Sequence, residues 1–185
     1  MPGYPYATLV PNVLDEQHQP ILLISALAEH TKNLLADPKV SISVAETGTA
    51  NVQDGQRLTL VGDAEQFEPS QELIARYLRY VPAAEQYLQL DFMFFRIIPK
   101  RLRYIGGVGK MGWVEVDVLA ATNKLSLADE SALLAEAEAV APKTVTLLGI
   151  DPYGIDYIAD GFRNRKALEE GTLRDAVLAA APKLS

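Results

Sequence analysis

Few side chains in this 185-residue chain can do chemistry. There is no cysteine, which excludes disulfide scaffolds, zinc–thiolate sites, iron–sulfur clusters and cysteine nucleophiles. Two histidines, His18 and His30, are too few for a metal site built from several imidazoles. His30 is the sole plausible base, and no Ser-His-Asp arrangement can be assembled around it. A lone histidine on a helix is by default a surface or capping residue, so its neighbours must make its case. Gly107-Val108-Gly109-Lys110-Met111-Gly112 matches GxGxxG. That fingerprint must open a helix, whereas Trp113-Val114-Glu115-Val116 alternates like a strand. The expectation is a tight turn between strands. Met111 also stands where a phosphate loop needs Ser or Thr for magnesium. Lys100, Arg101 and Arg103 form a basic cluster, either a solvated strand face or a seat for an anionic substrate tail. Asp151, Asp156 and Asp160 lack calcium-loop spacing and read as a turn followed by solvated strand positions.

These residues must be positioned by the surrounding elements. Tyr6–Leu14 reads as a strand interrupted by Pro11, and Ile21–Ile24 as its hairpin partner after the polar Asp15–Gln19 turn. Over Ser25–Ala36 the period lengthens: Leu27, Thr31, Leu34 and Leu35 share a helical face, and Asp37-Pro38 ends it. Lys39–Glu46 alternates as a half-buried strand, and Arg57–Phe67 is extended, with Gly62 as a bulge position. Pro69-Ser70 opens a helix over Gln71–Tyr80. Phe92–Ile105 is extended, with a bend expected at Pro99-Lys100, before the glycine turn and the Trp113–Val116 strand. After about Asp117 the character changes. A helix over Asp129–Val140, strands Thr144–Ile150 and Ile155–Ala159, and a helix over Thr172–Ala180 are expected there. Many strands with few helical insertions point to an antiparallel barrel or sheet with helical crossovers. The fold class is α+β, with a domain over residues 1–117 and a small α/β domain over 118–185.

Composition narrows the partners. Apolar residues make up 49% and charged residues 22%, an ordinary globular balance. A net charge of −7 argues against nonspecific nucleic-acid binding, which needs a basic surface. No apolar run approaches the roughly 20 residues of a membrane span, and the N-terminal stretch lacks a signal-peptide pattern, so the expected location is the cytoplasm.

Several motifs occur in a familiar order. Gly3-Tyr4-Pro5-Tyr6, the run from Pro20 to Leu34 (PILLISALAEHTKNL) and Asp37-Pro38-Lys39-Val40-Ser41 resemble the N-terminal signature of the pyridoxamine 5'-phosphate oxidase-related proteins, in their haem-utilisation branch. Arg57–Gly62 and Arg103–Gly109 resemble that group's later strand and glycine turn. Gly149–Asp156 resembles the small companion domain often fused to it. The likeness covers nearly the whole chain.

The resemblance implies a split β-barrel homodimer with FMN lying in a cleft between subunits. Carried over by position, the cofactor's phosphate and ribityl chain would meet Thr8, Leu9, Val10 and Pro11, then Ile24 and Ser25, then His30, Thr31, Lys32 and Asn33. A strand feeding a helix N-terminus suits an anion, because free N–H groups and a partial positive charge face it. Where the flavin oxidases carry an Arg-Lys pair, this chain has Glu29-His30. Trp113 is placed either to stack on a flavin or to fill the core. The implied function is an FMN-dependent oxidoreductase acting on a small molecule. The alternative is a haem-binding or haem-degrading protein. Its branch holds iron with a histidine near the C-terminus, and no histidine follows His30 here. A third reading is a cofactor-free dimeric binding module.

Overall fold

A computed structural model describes residues 4–46, 55–107 and 109–185. Gly3 and Val108, which belong to two of the motifs above, lie outside the described residues. The elements run β1 (Val13–Leu14), β2 (Pro20–Ser25), α1 (Glu29–Ala36), β3 (Lys39–Ala45), β4 (Arg57–Gln66), α2 (Gln71–Tyr80), a short 3-10 helix (Pro82–Tyr87) and β5 (Phe92–Ile105). Then follow β6 (Met111–Glu115), α3 (Val116–Ala120), α4 (Leu127–Val140), β7 (Thr146–Asp151), β8 (Gly154–Ala159), β9 (Phe162–Ala167) and α5 (Leu173–Ala180). They form two compact units: Met1–Glu68 with Gln86–Thr122, and Pro69–Glu85 with Asn123–Ser185. The sequence reading drew one junction at residues 117/118. The contacts divide the chain differently, because the segment carrying α2 clusters with the C-terminal unit.

The first unit is one antiparallel sheet in the order β1-β2-β5-β4-β3, with β6 also on β5. The 14-residue β5 organises it. β4 pairs along most of its length, while on the other side its first half takes β2 and its second half β6. This divided pairing of one long strand belongs to the split-barrel architecture. Leu22, Ile24, Leu60, Ala64, Phe95 and Ile97 make its core, with Val10, Leu34, Val40, Ile42 and Met93 packed against them. Alternation puts these side chains on a common face because strand side chains repeat every two residues.

Four local expectations change. The strand expected over Tyr6–Leu14 shrinks to Val13–Leu14, since the residues before it join no ladder and Pro11 has no N–H to give. The helix expected from Ser25 begins at Glu29, because Ser25 Oγ accepts the Leu27 amide at 3.2 Å and holds a turn instead. No bend separates two strands at Pro99. β5 continues, and Lys100 is the extra residue where Val61 faces Arg101 and Gly62 faces Pro99. Gly62 is needed there, since a side chain would run into the Ile98 carbonyl. Finally, β9 was not foreseen at all: its exposed, charged Arg163–Lys166 run has no apolar alternation to read.

The β1–β2 hairpin is held by Asp15, whose side chain is buried. It accepts the amides of Gln17 and Gln19 at 2.9 and 2.8 Å and an ion pair from Arg96 at 3.0 Å. His18 sits in this turn with a positive φ of 61°.

The second unit packs α4 and α5 on the β7-β8-β9 sheet around Leu133, Leu134, Ala137, Leu147, Ile150, Ile155, Tyr157 and Val177. Ser126 and Thr172 cap α4 and α5, accepting the amides of Asp129 and Asp175 at 3.1 and 3.3 Å. α2 is tied in by polar groups. Glu130, 2% exposed, pairs with Arg76 and with Arg79 at 3.2 Å and accepts the Ile150 amide at 3.0 Å. Tyr80 donates to Asp156 at 2.7 Å, and Arg165 bridges Asp156 and Asp151. Gly149 lies under this cluster. A Cβ there would meet the Tyr80 hydroxyl, Glu130 Oε1 at 2.9 Å and Arg76 Nη1 at 3.0 Å.

Candidate functional site

The residues singled out from sequence fall into two groups in the first unit. The first surrounds α1. β2 ends at Ser25, three residues follow, and the helix starts at Glu29 with Ala28 as its N-cap, so no side chain caps the first-turn amides. Thr31 is fully buried and its hydroxyl donates to the Ser25 carbonyl at 2.6 Å, which pins the first helical turn to the end of β2. His30 is half-buried one residue earlier. Its Nδ1 lies 3.2 Å from the Thr8 hydroxyl, and Nε2 makes no hydrogen bond among the described residues.

The structure therefore brings Thr8 to His30 and Ser25 to Thr31. Val10, two residues after Thr8, packs against the barrel core, while Leu9 and Pro11 are exposed. Ile24 is buried in that core and can offer a ligand only its backbone. Lys32 lies 4.0 Å from Glu29, both more than half exposed, a pair of little energetic weight. Asn33 is exposed, and its carbonyl accepts the Asp37 amide that closes the helix.

The second group lies on the β5–β6 hairpin. Gly106 donates to the Lys110 carbonyl at 2.7 Å, and Gly107 and Gly109 take φ values of 106° and 78°, which only glycine adopts without strain. The GxGxxG match is thus a hairpin turn followed by a strand, as the alternation after it implied. Its register sets Arg103 opposite Trp113 and Arg101 opposite Glu115. Both guanidinium groups lie against the indole, 4.3 Å (Arg101) and 5.5 Å (Arg103) from its centroid, and the indole is still 48% exposed. Arg101 also pairs with Glu115 at 3.3 Å and Lys100 with Asp63 at 3.4 Å. Arg103 has no carboxylate partner among the described residues. Trp113 is thus not a core residue. Arg101, Arg103 and Trp113 were each visible in the sequence, but their assembly depends on the turn length, which sets the cross-strand register.

Chemically, the first group offers an oriented imidazole, and the second an exposed aromatic face flanked by cations. Such a face suits a flat, anionic ligand. Elsewhere, a cavity of about 360 Å³ in the second unit is lined by Asn123, Lys124, Pro152, Leu168, Glu169 and Leu173 among others. No cluster of three or more His, Asp or Glu residues able to hold a metal ion occurs among the described residues. No helix among them is long and apolar enough to cross a membrane.

Comparison with known proteins gives this architecture its kin. The family model "Pyridoxamine 5'-phosphate oxidase" matches residues 2–106. The non-canonical heme oxygenase HOZ, chloroplastic, of Arabidopsis thaliana is 41% identical over 108 residues, covering 57% of this chain and 33% of its own length. The heme oxygenase HutZ of Vibrio cholerae is 32% identical over 126 residues, covering 64% of this chain and 69% of its own. This chain thus spans only a third of the Arabidopsis protein. Among solved structures, a heme binding protein from Mycobacterium smegmatis superposes with a TM-score of 0.61 at 27% identity, covering 98% of this chain and 87% of its own. The strand order, the signature around α1 and the matched residues agree, and the chain belongs to the pyridoxamine 5'-phosphate oxidase family.

Proposed function

We propose that this protein binds haem and takes part in its breakdown, the alternative to the FMN oxidoreductase reading that the sequence put first. The observation that carries this reading is the similarity to two heme oxygenases, at 41% and 32% identity. The likeness to a heme binding protein along 98% of the chain adds to it.

The first unit carries residues whose chemistry suits such a ligand, in two groups near opposite ends of β5. Iron is commonly held by an imidazole, and among the described residues His30 has a hydrogen bond on Nδ1 only. The carboxylates of the macrocycle suit guanidinium groups, and Arg103 is uncommitted to any carboxylate among the described residues. Trp113 offers an exposed aromatic face. An FMN phosphate is served less well. The Thr31 hydroxyl is buried and donates to the Ser25 carbonyl, and Ser25 Oγ accepts the Leu27 amide. The Thr31 hydroxyl hydrogen is therefore engaged within the chain, while Ser25 keeps its own to donate.

Bound haem would supply the iron for oxygen chemistry; the protein supplies the site. His30 would offer its imidazole to the iron, with Thr8 fixing the ring. Arg101 and Arg103 would meet carboxylates, and Trp113 would offer its exposed face to a flat ring. A homodimer is part of this proposal.

The test is a titration of the purified full chain with hemin and, separately, with FMN. A saturable Soret band near one equivalent, without FMN uptake, is expected. FMN binding without any Soret band would overturn the haem reading and restore the flavin one. Light scattering tests the dimer, which a stable monomer would contradict.

A further inference from the structure

We infer that the cavity beside the β7–β8 turn of the second unit is a binding site for a small α-amino acid with an apolar side chain. It lies outside both groups of residues used above and does not depend on the haem reading. The cavity holds about 360 Å³, within the roughly 300–1,000 Å³ of small-ligand pockets. Three stretches of chain meet around it: Asn123 and Lys124 before α4, Pro152 in the β7–β8 turn, and the 168–176 stretch that leads from β9 into α5. Pro152, Leu168, Leu173 and Ala176 are half-buried and give it an apolar floor. Leu168 and Leu173 also pack on the core of the unit. Lys124 and Glu169 stand exposed at its rim. Glu169 has no hydrogen bond or ion pair among the described residues, so the two opposite charges do not cancel each other.

The walls are fixed through one turn residue. Tyr153 follows Pro152; its hydroxyl accepts the Asn123 amide at 2.9 Å, and its carbonyl accepts the Leu168 amide at 3.1 Å. A single residue thus ties the three stretches together. The turn is held in its place by Asp151, which accepts the amides of Tyr153 and Gly154 at 2.8 and 3.0 Å. Arg165 reaches the same carboxylate from β9 at 2.6 Å. On the other side, Thr172 caps α5 and Arg174 pairs with Glu136 of α4 at 2.6 Å. A concave surface that is already held leaves little ordering cost for a small ligand. The Asp151-Pro152-Tyr153-Gly154 run therefore shapes a cavity as well as turning the chain. An exposed lysine or glutamate by itself is simply met by water. Here opposite charges share one apolar floor. The ammonium of Lys124 suits a carboxylate, the Glu169 carboxylate suits an ammonium, and the floor takes an aliphatic side chain. Those are the three parts of a free amino acid such as leucine. A ligand of one charge would leave the other rim group unmatched.

The experiment titrates the full chain with L-leucine, glycine, isocaproate and isoamylamine, following backbone amides by NMR, with circular dichroism as the check on folding. L-Leucine should bind with a Kd below about 1 mM and shift the amides of Asn123, Tyr153 and Leu168. Glycine should bind about tenfold more weakly, for want of the apolar side chain. Isocaproate lacks the ammonium and isoamylamine the carboxylate; each should bind about fivefold more weakly, a modest factor because both rim charges are exposed. Glu169→Gln should weaken leucine by the same factor and leave isocaproate unchanged. Lys124→Gln should weaken leucine and leave isoamylamine unchanged. A wild type with no saturable leucine shifts, or with shifts that miss these three amides, would overturn the site. Equal leucine affinity in the wild type and both folded variants would overturn the assignment to an amino acid.

Discussion

The two units of this protein use their polar groups in opposite ways. In the second, the prominent charged side chains near the core are consumed internally: Glu130 by Arg76, Arg79 and the Ile150 amide, Asp156 by Tyr80 and Arg165. In the first, among the described residues, His30 has a hydrogen bond on one ring nitrogen only, and Arg103 lies against the exposed Trp113 without a carboxylate partner. Desolvating a charge is costly unless it is paired, so pairing near a core marks structure. Polar groups at the surface are met by water and stay available to a ligand. The first unit also has a structural pair of this kind, the buried Asp15 with Arg96.

The comparison can be broken first at Glu130. Replacing it with alanine strands the buried Arg76 guanidinium, and a loss of about 3–5 kcal/mol is expected in chemical denaturation, with the hemin spectrum of the surviving folded fraction unchanged. A loss under 1 kcal/mol would show that the network is not structural. Next in size, the double change Arg101→Gln with Arg103→Gln should weaken hemin binding by about tenfold, or roughly 1.4 kcal/mol, while leaving the unfolding midpoint nearly unmoved. Equal affinity would detach this face from the ligand. Ser126→Ala should cost about 1 kcal/mol through the lost α4 cap, with no change in the hemin titration.

An effect of the same size at neutral pH, about 1 kcal/mol for one hydrogen bond, belongs to Tyr80→Phe. Its signature is in the pH profile. Burial first, then the Asp156 carboxylate, pushes the Tyr80 phenol above its ordinary value of 10.0, with Arg76 opposing. A pKa raised in the folded state adds stability that is fully present below the unfolded value of about 10 and lost as pH climbs toward the folded one. The wild type should therefore lose stability above about pH 10 more steeply than Tyr80→Phe. Parallel alkaline limbs would show that the phenol is not held neutral by the fold.

Much of the scaffold was legible because its signals are local. The Asp37-Pro38 stop, the alternation of Val40, Ile42 and Val44, the Ser70 start of α2 and the glycine turn before Trp113 all fall where expected. The errors share a cause. Tyr6–Leu14 has strand composition but lacks a partner strand for most of its length, and β9 has strand pairing without strand composition. Pairing is a tertiary property, so neither could be read from one segment. For the site, the types were visible and the companions were not. His30 stood out as the only plausible base, yet Thr8, 22 residues away, was expected only as a contact of the cofactor's phosphate and ribityl chain and not as its hydrogen-bond partner.

The sequence by itself determined the family signature, the exclusion of cysteine chemistry, the turn chemistry and most element boundaries, since these depend on residue type and spacing within a few positions. Only the tertiary structure decided that α2 belongs with the C-terminal unit, that Thr31 turns inward while His30 meets Thr8, and that Arg101 and Arg103 meet Trp113 across a hairpin. Those outcomes depend on which distant backbone atoms come together. Helical and strand periodicities say which face a side chain occupies, but not what stands opposite it.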